Sequence, residues 1–172
     1  MQVRFTESPT ETLGLGTEAL RARFLVEGLF QKNTLQITYT HYDRMIIGGV
    51  MPVDKKVELH NPAELRAEYF LERREIGIIN VGGEGIIEAD NKNYELNKMD
   101  CLYLGKGVKD VRFSSKNPSA PAMYYFLSSP AHQTYPTAVC KKEAAQPVDL
   151  GRSEEHTSEL QSHSDLVCRL LL

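Results

Sequence analysis

Between Tyr69 and Gly85 the chain reads YFLERREIGIINVGGEG, and no other stretch limits the fold as much. Charge comes first, in Glu72, Arg73, Arg74 and Glu75, followed by the apolar residues Ile76, Ile78, Ile79 and Val81 and then by glycines. That pattern predicts a buried strand running from Tyr69 into a tight hairpin at Gly82-Gly83.

The flanking sequence repeats the theme in shorter units. Residues 1–16 lack periodicity and read as an extended arm. TEALRARFLVEGLF predicts one short helix, with Thr17 as N-cap and Leu20, Phe24 and Leu25 on one face. From Leu35 the pattern alternates, with Leu35, Ile37 and Tyr39 on one side and Gln36, Thr38 and Thr40 on the other. MIIGGVMP, the segment around Val57 and Leu59, Ile86-Ile87, Tyr94 to Leu96, Leu102 to Leu104, VKDVRFSS and AMYYFLSSP each read as a further strand. Turns fall at Asn61-Pro62 and Asp90-Asn91. Many short strands at close spacing after a single helix predict an all-β fold, a closed or sandwiched β-barrel, and not βαβ units.

Composition narrows the function classes. With 172 residues, 41% hydrophobic and 25% charged, the chain has the make-up of a globular protein with a real core. A net charge of -3 gives no electrostatic footprint for nucleic acid. No signal peptide or membrane span is legible, so the cytoplasm is the expected compartment. Cys101, Cys140 and Cys168 are spaced for neither a disulfide framework nor a zinc knuckle. The domain is expected to occupy residues 1–151. RSEEHTSELQS is the in-frame translation of a common sequencing adapter, so residues 152–172, with His156 and His163, are expected to be an artefactual, disordered tail.

The central stretch resembles the first motif of a cupin barrel, in which two histidines one residue apart precede a glutamate and then a glycine. Glu75 and Gly82 keep that spacing, whereas Tyr69 and Leu71 fill the histidine places. In LGKGVKD, Asp110 stands where a second cupin motif has another histidine. Tyr69, Leu71, Glu75 and Asp110 offer no imidazole, so no metal site is expected in this chain beyond a poor oxygen site of the magnesium or calcium kind. The catalytic candidates are Glu75 and Asp110, as an acid/base pair inside the barrel, and His41, which Asp43 could orient as a general base. The plainer reading pairs the carboxylates with Arg73, Arg74 or Arg112 as structural groups. Arg73 and Arg74 are also candidates for clamping a substrate carboxylate. His60 and His132 read as loop residues.

Five blocks in order, FLVEGLF, YTHYDRMIIGGVMP, YFLERREIGIINVGGEG, YELNKMDCLYLGKGVKDVRF and PAHQTYPT, resemble the bacterial 5-keto-4-deoxyuronate isomerase family. Asn91 departs from a frequent turn glycine. The resemblance implies a cytoplasmic bicupin and homo-oligomer acting on a uronate from pectin breakdown. It also implies a zinc ion whose histidine and glutamate ligands belong to a second barrel after Gly151. On that reading this chain is the first, degenerate barrel, without the zinc ligands. Alone it is expected to be inactive and to self-associate through its uncovered face. The alternatives are a non-catalytic sugar-binding or oligomerisation module and a metal-independent isomerase using Glu75 or His41.

Overall fold

The computed structural model describes residues 1–146, so the expected tail at 152–172 lies outside the described residues. The chain divides into two units, Met1–Lys142 and Glu143–Leu172. The elements below belong to the first. No helix among the described residues is long and apolar enough to cross a membrane.

Period-two alternation builds two sheets. The larger contains β1 (Gln2–Arg4), β2 (Leu35–Thr40), β3 (Ile46–Val50), β5 (Arg74–Asn80), β8 (Cys101–Leu104), β10 (Tyr124–Pro130) and β11 (Ala138–Cys140). Their spatial order is β1-β2-β3-β10-β5-β8-β11. The smaller contains β4 (Val57–Glu58), β6 (Gly85–Ala89), β7 (Lys92–Leu96) and β9 (Val111–Ser115), in the order β4-β9-β6-β7. These strands pair antiparallel except for β1 on β2, which is parallel with Gln2 opposite Thr38. Neither sheet closes on itself, so the expected barrel is an open sandwich.

Aromatic side chains join the sheets. Phe113 of β9 stacks on Phe126 of β10 at 6.5 Å and tilts against Tyr124 at 5.3 Å. The Tyr124 hydroxyl then donates to the Ser114 carbonyl at 3.0 Å. All three rings are fully buried, and such packing stabilises beyond simple area burial. Gly48 makes room for the Phe126 ring, since a Cβ there would lie 2.0 Å from it.

Three expectations need correction. The central strand does not begin at Tyr69. Residues 69–73 form turns and bends, with the Glu72 amide bonded to the Tyr69 carbonyl, and β5 starts at Arg74. Gly82-Gly83 also does not make a hairpin within one sheet: β5 pairs with β10 and β8, whereas β6 pairs with β7 and β9. The glycines carry the chain from one sheet to the other beneath residues 120–123, where a Cβ on Gly83 would meet the Ala120 carbonyl at 2.0 Å. Finally, the described residues form two short α-helices, α1 (Pro9–Thr12) and α2 (Thr17–Phe24). One turn is too short for periodicity, and the legible sign of α1 is the capping box between Ser8 and Glu11. Gly16, not Thr17, caps α2, and Leu20 and Phe24 on that helix remain exposed.

Candidate functional site

The orientation of β5 decides what the site contains. Along Arg74–Asn80 burial alternates, so Arg74, Ile76, Ile78 and Asn80 face the interior while Glu75, Gly77 and Ile79 face out. Glu75 therefore does not occupy the inward position that the cupin frame assigned to it. On the outer face its Oε2 accepts from the Tyr103 hydroxyl at 2.8 Å and its Oε1 from the Ser129 hydroxyl at 3.4 Å. The arginines do not pair with it, and the ligands it finds are neighbouring strand hydroxyls.

Partial burial, and then the bond to Glu75, raise the Tyr103 hydroxyl well above its usual pKa of 10.0. A raised acid is favoured in its neutral form by the fold. Its contribution to stability is thus complete below pH 10.0 and is lost as pH climbs above that value. Tyr103→Phe is expected to cost about 1 kcal/mol in denaturant melts at neutral pH and to remove one late-ionising group from the ultraviolet tyrosine titration. Unchanged late ionisation in this variant would contradict the assignment.

Asp110 lies elsewhere. It is exposed just before β9 in the smaller sheet, where its amide donates to Asp90 Oδ1 at 3.0 Å and its carbonyl accepts from the Asp90 amide at 3.0 Å. The structure does not bring Glu75 and Asp110 together as an acid/base pair. Tyr69 lies under the Lys109 ammonium at 5.7 Å, and Leu71 is buried. A buried leucine and an outward glutamate cannot complete a zinc shell with Tyr69 and Asp110, so these four residues do not fit the metal. Among the described residues no group of three or more His, Cys, Asp or Glu side chains is placed to hold an ion.

His41 also departs from expectation. Its ring stacks on Phe5 at 4.7 Å and meets Tyr39 edge-on at 5.2 Å, and no hydrogen bond to Asp43 orients it. Cys101 and Cys140, scattered in sequence, stand directly opposite each other on β8 and β11 as free thiols. Burial, with Cys140 and Asp100 nearby, pushes the Cys101 thiol up.

One feature does gather candidates. A cavity of about 500 Å³ opens where β2 ends and β3 and β5 begin, lined by His41, Arg44, Glu64, Arg73 and Arg74 with Tyr39, Leu65 and Phe70. Arg74 is only 8% exposed. Its Nε donates to Ser128 Oγ at 3.1 Å, and its Nη2 to the carbonyls of Arg44 at 2.7 Å and Ser128 at 2.8 Å. Burial, opposed by Tyr39 and reinforced by Arg44, lowers its pKa to about 10. Arg73 is exposed and donates to the Arg66 carbonyl. Arg44, absent from the sequence candidates, reaches the cavity from a left-handed turn with φ 50° at Asp43 and 56° at Arg44. Two successive non-glycine residues in that conformation leave no mark in sequence.

The sheet arrangement defines an all-β protein of two open sheets. The chain belongs to the KduI/IolB family, whose model matches residues 24–160. It is 43% identical to the 4-deoxy-L-threo-5-hexosulose-uronate ketol-isomerase of Shouchella clausii, over 90% of this chain and 56% of that protein. The protein of the same name from Halalkalibacterium halodurans is 43% identical over 100% of this chain and 64% of its own length. That of Formosa agariphila is 46% identical over 88% and 54% respectively. The chain thus spans between 54% and 64% of these relatives. Among solved structures, a cupin protein from Bacteroides fragilis matches 62% of this chain and 77% of its own at 15% identity and a TM-score of 0.37.

Proposed function

We propose that this chain is the first-barrel portion of a ketol-isomerase that interconverts 5-keto-4-deoxyuronate and 3-deoxy-2,5-diketogluconate in uronate catabolism. The carrying observation is 43% identity to ketol-isomerases of that name across 90% or more of the chain. The reaction moves a proton between neighbouring carbons through an enediol, and it needs a base and a group that stabilises the oxyanion. Zinc could supply the second as a Lewis acid. With Glu75 outward and Asp110 exposed just before β9 of the other sheet, we assign neither task to the described residues and expect the ligands in the part of the protein this chain does not span. A cytoplasmic homo-oligomer fits this reading.

A non-catalytic sugar-binding or assembly module is the second reading, favoured by the dispersal of the carboxylates and imidazoles. A chimera separates the two. Residues 1–151 would replace the matching portion of the Shouchella clausii relative, and isomerisation of 5-keto-4-deoxyuronate would be followed. Turnover within about tenfold of the relative supports the isomerase, with the chain alone inactive even with added zinc. A folded chimera without activity would leave the module.

A further inference from the structure

We infer that the cavity at the Arg74 end of the sandwich binds the carboxylate of a small sugar acid, held by Arg44, Arg73 and Arg74. Charge is the first argument. Three guanidinium groups and one carboxylate, Glu64, line the space. None of the three arginines takes part in an ion pair among the described residues. Of the three only Arg74 is buried, and positive charge is seldom left buried without a counter-charge, because desolvation of the ion is costly.

The second argument is the posture of Arg74. Ser128 and the Arg44 carbonyl occupy Nε and Nη2 and fix the plane of the guanidinium. Nη1, carrying two of the five donors of the group, has no protein partner among the described residues. A guanidinium clamped on one side and free on the other is organised to receive a carboxylate. The depressed pKa of Arg74 agrees, since burial outweighs the opposing contribution of Tyr39 and no carboxylate offsets it.

Size and lining choose the ligand. A volume of about 500 Å³ lies within the range of small-molecule sites. Tyr39, Leu65 and Phe70 supply apolar wall for a carbon skeleton. Glu64 can only accept hydrogen bonds when ionised. It suits a sugar hydroxyl and repels a phosphate dianion, which favours a singly charged hydroxy acid.

The choice of a uronate as probe rests on the isomerase reading, but the site is argued from the cavity alone. Calorimetric titration and thermal melting of this chain would use D-galacturonate, its uncharged methyl ester, and inorganic phosphate. Galacturonate is expected to bind and raise Tm, and the ester to do neither. Arg44→Gln and Arg73→Gln, both at exposed positions, are each expected to weaken binding about tenfold while keeping the unliganded Tm. Absence of galacturonate binding, equal binding of the ester, or undiminished binding in the double variant would overturn the site. Phosphate binding without galacturonate binding would overturn the carboxylate assignment. Because the chimera reports turnover independently, activity there without galacturonate binding here removes only this site, and binding without activity removes only the isomerase.

Discussion

Asn80→Ala is expected to lower the free energy of unfolding by about 3–5 kcal/mol, as a fall in denaturant midpoint at unchanged m-value. Asn80 ends β5 facing inward and is completely buried. Its amide nitrogen donates to the carbonyls of Gly83 at 2.7 Å and Leu96 at 3.0 Å. Its side-chain oxygen accepts from the amides of Gly82 at 3.1 Å and Met123 at 3.3 Å. One side chain therefore ties the crossing between sheets to the end of β7 and the approach to β10. Alanine would remove the partner of four backbone groups at once, two of them in buried bonds and two in part-buried ones, and each orphaned group costs about 1–3 kcal/mol before water relieves part of it. Asn80→Asp keeps both acceptor contacts but turns a charge toward two carbonyls, so it is expected to be worse at neutral pH. A loss below about 1 kcal/mol for alanine would show that the network carries little of the fold.

Asp100→Ala is expected to cost about 2–4 kcal/mol and to release β11 from the edge of the larger sheet. Asp100 is fully buried. Its Oδ2 accepts from Lys141 Nζ at 2.8 Å and the Asn97 amide at 2.8 Å, and its Oδ1 from the Lys142 amide at 2.9 Å. Burial alone would raise its pKa, but the Lys141 ammonium and the two backbone donors outweigh that and hold it below 3.8. A depressed carboxyl stabilises fully above its unfolded value and loses the contribution as pH falls through the folded one. Acid titration of stability should thus show a loss below pH 3.8 that Asp100→Asn lacks. Hydrogen exchange of Ala138 to Cys140 should accelerate in both variants, and unchanged exchange would contradict the tether.

β2 is legible from Leu35 to Thr40 because apolar and polar residue types alternate, although its burial does not follow them: Ile37, Thr38 and Thr40 are all buried. The β6–β7 hairpin is legible because Asp90 and Asn91 take up positive φ angles of 44° and 66°. The orientation of β5 is not legible in the same way. Charged residues occupy both parities at Arg74 and Glu75, so period two cannot say which enters the interior. The cupin spacing pointed to Glu75, but counting back from it crosses the turns at 69–73, where a linear spacing no longer maps onto a strand face. β1 and β11 have three residues each, too few for a pattern. Arg74 was named from sequence for its chemistry, whereas the turn that brings Arg44 beside it has no local signature.

The strand order also bears on how the molecule is made. β10 lies in the middle of the larger sheet, with Phe126 opposite Gly48 on one side and Ile78 on the other. During synthesis β1-β2-β3 and β5-β8 can assemble, but the strand that joins them is complete only at Pro130. Until it leaves the ribosome, the nascent chain carries two half-sheets whose facing edges present unpaired amides and carbonyls. Those edges wait for a late tenant that any foreign strand could displace, so recovery of native protein should depend on how quickly translation passes that point.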